Sequence, residues 1–177
     1  MSKTTKKANA MFTGFGKTKR ILLGDTLLNN FTNEEIVTVI AHELGHYKYK
    51  HILKNLIIGT FLSFFTLFCI SEMYIILLPY LGYHSITEIS ALPLLVVIGM
   101  ITGILFSPLS AGISKKFEFQ ADRFAVSVTG KHDIYIQTLN KLNEQNLGDR
   151  DPNVFVEWFF YSHPSISNRI KAIEKLK

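Results

Sequence analysis

The chain has a single cysteine, Cys69, among its 177 residues. One thiol cannot close an internal disulfide, and it excludes a zinc site built on several thiolates. Charge is the second scarcity, and it is local. Between residues 56 and 81 only Glu72 is charged, and between 89 and 114 nothing is. The stretch joining those runs, 79–88, contains no lysine or arginine. No apolar segment follows the basic residues Met1 to Lys7, so no secretory signal peptide is predicted there. Repeats and low-complexity segments are also lacking. The net charge of +5 comes mostly from the amino-terminal segment and from lysines beside the apolar runs. Positive charge so placed favours anionic lipid headgroups and gives no reason to expect nucleic acid.

Each charge-poor run exceeds the roughly 20 apolar residues needed to cross a bilayer. The sequence therefore predicts a transmembrane helical hairpin at 56–81 and 89–114. Pro79 and Pro93 fall near the ends of the runs, while Pro108 lies inside the second and predicts a kink. Gly99 and Gly103 form a small-xxx-small pair suited to close helix packing. Lys48, Lys50 and Lys54 precede the first run, and Lys115 and Lys116 follow the second. The positive-inside rule then puts both outer ends on the cytoplasmic side. The expectation is a multi-pass integral membrane protein whose site lies at the cytoplasmic membrane surface.

Ahead of the first run stands His42-Glu43-Leu44-Gly45-His46. This is H-E-x-x-H, in which a helix sets two imidazoles on one face, one turn apart, around a zinc ion. Glu43 is then placed to reach a water at the metal without itself binding it. Glu118 is the candidate third ligand, and Asp122, one turn on, is placed to accept the outer ring N–H of a ligand histidine. Two histidines and one glutamate leave a coordination position open, which marks a catalytic zinc site. The alternative for Glu118 is a solvated carboxylate paired with Lys115 or Lys116. The predicted hairpin returns Glu118 to the membrane face that carries His42 and His46, so topology and coordination require the same arrangement.

Thr32 and Glu35 form a capping box, and the motif helix is expected to span 33–54. Gly45 lowers helix propensity there but permits close approach of another backbone. His51, five residues past His46, falls off the ligand face and is read as a helix-end or membrane-interface residue. His84 and His132 are read as solvated loop residues. Ala8 to Thr13 and Arg20 to Leu23 read as two short strands around Gly14 and Gly16. That hairpin is either scaffold or an edge on which a peptide substrate adds as a strand. Ile136, Leu139 and Leu142 predict an apolar stripe on a helix over 134–147. Pro164 is expected at the first position of a final helix with Ile166, Ile170 and Ile173 inward. His163 and Arg169 are candidates for stabilising an oxyanion, the alternatives being a capping histidine and a solvated arginine.

Together these residues resemble the zinc-type CaaX prenyl proteases, related to the membrane heat-shock zinc proteases. The resemblance rests on Asn9-Ala10, Phe12 to Phe15, Lys19 to Ile21, Asp25 to Leu28, His42 to His46, Glu118 to Asp122, His163-Pro164 and Arg169. Met11 stands where that family usually has an aromatic residue. The resemblance implies that His42, His46 and Glu118 bind zinc and that Glu43 is the catalytic base. It implies that Asn9 contacts the substrate main chain, and that His163 and Arg169 assist substrate or transition-state binding. It also implies a protein substrate with an isoprenylated C-terminal cysteine, and further membrane helices preceding this region. The fold class expected is a mainly α membrane protein: metalloprotease helices, a transmembrane hairpin and a small amino-terminal β-hairpin. The boundaries expected are 8–31 for the β-hairpin and its connection, 33–54, 56–81, 89–114, and a cytoplasmic helical part at 115–177. Other functions compatible with the residues are membrane quality-control proteolysis and a non-catalytic, zinc-stabilised membrane module.

Overall fold

The computed structural model describes residues 10–13, 18 and 20–176. Asn9, Gly14, Gly16 and Lys19 lie outside the described residues. Strands β1 (Ala10–Thr13) and β2 (Arg20–Leu23) pair antiparallel, with Ala10 opposite Leu23 and Thr13 opposite Arg20. A short helix, α1 (Asp25–Asn30), follows and buries Leu27. Leu27, Phe31 and Val39 form a small cluster that Leu23 and Leu142 border, which ties the hairpin to the helices.

Helix α2 (Asn33–Lys48) starts at the predicted capping box. The Thr32 N–H donates to Glu35 Oε2 at 2.7 Å, and the Glu35 N–H donates to Thr32 Oγ1 at 3.3 Å. The expected helix over 33–54 is not continuous. Tyr49 caps α2, Lys50 takes a left-handed conformation (φ 55°, ψ 39°), and α3 (His51–Leu77) begins at the next residue. A lysine at positive φ costs about 1 kcal/mol or more, so the turn is held by the packing around it.

Helix α3 is 27 residues long and spans about 40 Å at 1.5 Å per residue, more than the hydrocarbon thickness. Single 3-10 turns, Pro79–Leu81 and Ile89–Ala91, lead to α4 (Leu92–Thr129), with Tyr74, Leu78, Ala91 and Ile98 clustered at that end. In their most apolar stretches, none of α3 and 17% of α4 is buried within the chain, and Phe61 and Phe64 are each 70% exposed. A soluble hairpin core would be buried. Surface of this kind belongs to a mainly α membrane architecture.

The second span and the segment carrying Glu118 are one helix: α4 has 38 residues and runs past the apolar stretch to Thr129, where Gly130 (φ 66°) caps it. Gly99 and Gly103 face open space, so they do not pack against α3. The close approach occurs at Gly45 instead. A Cβ there would stand 3.0 Å from Ala121 Cα and 3.2 Å from Ala121 O.

The remaining helices are α5 (His132–Gln145), α6 (Val154–Phe160) and α7 (Ile166–Glu174). The main core joins four helices through Ala41, Ala125, Val126, Tyr135, Leu139, Ile170 and Ile173. His132 opens α5 and is half-buried, and is not a solvated loop residue. Ser165, not Pro164, borders α7: its hydroxyl accepts from the Asn168 N–H, which leaves Pro164 one position before the cap.

Candidate metal centre

Because α2 and α4 meet at Gly45 and Ala121, the residues one turn along each helix face each other. His42 and His46 come from α2, and Glu118 from α4. His42 Nε2 and His46 Nε2 are 3.1 Å apart. Glu118 Oε2 lies 3.4 Å from the first, and Oε1 lies 3.4 Å from the second. A tetrahedral zinc site with bonds of about 2.0–2.1 Å has ligand–ligand edges of about 3.3 Å. The two carboxylate oxygens each face one imidazole, and one donor atom from each residue lies within 4.8 Å of the others; two imidazoles and one carboxylate so gathered fit a zinc ion. Lys115 does not pair with Glu118; its ammonium donates to the main-chain oxygens of Glu157 and Trp158.

Asp122 lies where the i+4 spacing puts it. His42 Nδ1 is 2.9 Å from Asp122 Oδ1, so its N–H donates to the carboxylate and leaves Nε2 free to bind. Asp122 is itself clamped. Arg169 donates from Nε to Oδ2 at 2.9 Å and from NH2 to Oδ1 at 2.6 Å. The Tyr135 hydroxyl donates to Oδ1 at 2.6 Å and sits 3.0 Å from His42 Nδ1. Arg169 is therefore not a solvated arginine; its side chain is only 13% exposed. Its NH1 is 3.9 Å from Glu118 Oε2. His163 reaches the same carboxylate, Nδ1 to Oε1 at 3.1 Å, while its side chain stays 67% exposed.

Charge is strongly ordered around this group. Burial alone would lower the His42 pKa, but hydrogen bonds to Asp122 and Glu118 raise it to about 9. His163 is raised by its hydrogen bond to Glu118. Burial and then the Asp122 charge push the Tyr135 hydroxyl well above its usual range, so it stays a donor. Burial works against the Arg169 charge, yet Asp122 and Tyr135 hold its pKa well above the ordinary arginine value. Two carboxylates aimed at two imidazoles thus favour a positive charge between them.

A cleft of about 510 Å³ opens over the centre. Glu43, His163 and Arg169 line it together with His42, His46 and Glu118, as does Ala10 of β1. Asn9 adjoins Ala10 in sequence but falls outside the described residues.

Three residues at the site were not singled out from the sequence for it: Tyr135, His51 and Gln120. Tyr135 neighbours the predicted stripe on α5 and carries a hydroxyl into a core position. His51 is 2% exposed, with Nδ1 2.9 Å from His46 Nδ1 and Nε2 3.0 Å from Gln120 Oε1. It stands at a helix end, as the first residue of α3, but it is buried rather than exposed there, because the break at Lys50 turns it back over His46. A third histidine five residues beyond H-E-x-x-H was its available signal.

Peptidase family M48 matches over residues 1–177. The metalloprotease YhfN of Bacillus subtilis is 34% identical over 179 residues, covering 99% of this chain and 42% of that protein. The CAAX prenyl protease 1 homologue of Homo sapiens is 31% identical over 222 residues, covering 99% and 46% respectively. The crystal structure of S. mikatae Ste24p superposes with a TM-score of 0.77 at 28% identity, over 97% of this chain and 43% of that one. The chain spans less than half the length of these relatives. Agreement along all 177 residues with the family, and at more than 30% identity with its curated relatives, places this chain in peptidase family M48.

Proposed function

We propose that this chain carries the hydrolytic centre of a zinc-dependent membrane endopeptidase that cuts near the C-terminus of prenylated CaaX proteins. The observation that carries the reading is the convergence of the His42, His46 and Glu118 donors, within 4.8 Å of one another, beside Glu43 in one cleft. Zinc would supply Lewis acidity, polarising a carbonyl and lowering the pKa of water. The residues of the chain do the rest. Glu43 takes a proton from the attacking water and returns it to the leaving amine. Asp122, held by Arg169 and Tyr135, fixes the His42 tautomer. His163 and Arg169 at the cleft border stabilise the developing oxyanion. Asn9 and the β1 edge hold the peptide main chain in an extended form. Apolar helices α3 and the first part of α4 cross the bilayer, and the lysines at their ends support a cleft on the cytoplasmic side.

The prenyl preference is carried by similarity to the CAAX prenyl protease 1 homologues. The test is cleavage of a peptide with and without an isoprenylated cysteine, by the purified chain in detergent, with Glu43→Gln as control. The expected result is cleavage of the prenylated peptide, abolished in Glu43→Gln with zinc content unchanged. Turnover by that variant removes Glu43 as the base. Equal cleavage of both peptides favours a quality-control protease, and no cleavage of either favours a non-catalytic module.

A further inference from the structure

His46 would bind a metal through Nε2, the atom that faces His42 and Glu118. Its proton must then sit on Nδ1 and needs an acceptor. The atom opposite, at 2.9 Å, is His51 Nδ1. For that nitrogen to accept, His51 must carry its own proton on Nε2. Nε2 in turn lies 3.0 Å from Gln120 Oε1, a carbonyl oxygen that can only accept. With His46 Nε2 given to the metal, the two contacts admit one consistent direction: His46 donates to His51, and His51 donates to Gln120.

The arrangement is held from several sides. The His51 ring stacks on Phe117 at 4.3 Å between centroids and 9° between planes, with Tyr49 stacked at 5.8 Å. At 2% exposure His51 has little access to water, so an unpaired ring nitrogen would be costly. Phe117 and Gln120 lie on α4 beside the ligand Glu118 and the His42 partner Asp122. One stretch of α4 thus sets both imidazoles: Asp122 serves His42 directly, and Gln120 serves His46 through His51.

We propose that His51 is a positioning residue for the metal centre, fixing His46 as the tautomer with a free Nε2, with Gln120 fixing His51 in turn. This rests on the reading that His42, His46 and Glu118 hold the metal. The left-handed Lys50 then has a purpose beyond ending α2. In an unbroken helix, position 51 would sit about 140° around the axis from position 46. The break returns the ring to its neighbour.

The test is zinc affinity by competition with a chromophoric chelator, on the purified full chain in detergent, with metal-free thermal unfolding measured in parallel. His51→Phe keeps the stacking but cannot accept a hydrogen bond. It is expected to lose about 10–100-fold in zinc affinity with the metal-free fold little changed. His51→Asn places an acceptor, Oδ1, at the δ position that Nδ1 occupies and is expected to restore most of that affinity. Gln120→Leu, which leaves the ring in place, is expected to lose affinity by a smaller factor. Cobalt(II) in place of zinc should show a shifted d–d spectrum in His51→Phe and a near-native one in His51→Asn. Wild-type affinity in both His51→Phe and Gln120→Leu overturns the proposal, as does an equal loss in His51→Phe and His51→Asn. If His51→Phe does not fold, Gln120→Leu and His51→Asn decide. His46→Ala separates the underlying reading: unchanged zinc binding there sinks the metal assignment itself, whereas a loss there without one in His51→Phe sinks only the relay.

Discussion

Gly45 of α2 lies against the backbone of Ala121 of α4 so closely that an added Cβ would stand 3.0 Å from Ala121 Cα, and the neighbouring helix would have to give by a few tenths of an ångström. The contact sits between the two histidines' helix and the helix of Glu118, and so sets the reach from one to the other.

Gly45→Ala is therefore expected to push α4 away from α2, although alanine has the higher helix propensity. Overpacking of this kind costs about 1–3 kcal/mol. Zinc affinity should fall with it, since Glu118 is carried on the displaced helix. Thermal unfolding and chelator competition on the purified variant check both effects. A variant as stable as the parent would show that the helices yield locally without moving the ligand.

Asp122 separates two consequences in one residue. Asp122→Asn removes the charge that Arg169 pairs with while Arg169 stays buried, and breaking a buried pair costs about 3–5 kcal/mol. It also weakens the acceptor for His42, for which about 10–100-fold in metal affinity is expected. Adding Arg169→Leu to Asp122→Asn should recover much of the stability but not the affinity. Denaturant unfolding beside zinc competition distinguishes the two. Recovery of both together would mean that Asp122 acts on the metal only through Arg169.

Glu157 ties α6 to the segment bearing His163. Its Oε1 accepts from the Ser165 N–H at 2.9 Å, and both its oxygens lie 3.0 Å from Asn168 Nδ2. Burial raises its pKa, but the Ser165 N–H and the Asn168 amide lower it further, leaving it below the ordinary value. With the folded pKa depressed, the unfolded chain binds the proton more readily. The stabilisation is present above about pH 4.3, the ordinary glutamate value, and is lost as pH falls through the lower folded value. Trp158, the single tryptophan, is the adjoining residue and the natural reporter. Its fluorescence should report an acid transition in the parent that Glu157→Gln weakens. An identical transition in the variant would assign it to another group.

Much of the centre was legible in the residues. His42, His46 and Glu43 follow from the 3.6-residue period, which makes four-apart positions neighbours whatever surrounds them. Asp122 follows from Glu118 by the same geometry, and Thr32 with Glu35 announced the start of α2. The two charge-poor runs predicted helices of spanning length, because composition and length alone decide that.

Contacts between distant segments were not legible. Nothing near Lys50 in the chain marks a left-handed residue, and without that break His51 points away from His46. Whether Arg169 is solvated or buried depends on α7 packing against α4, and the role of Gly45 depends on Ala121 lying opposite. Local periodicity determined which side chains share a helix face. Tertiary structure alone decided which faces meet and how His51 comes to lie over His46, because the first depends on residues far apart in sequence and the second on a backbone break that no local repeat announces.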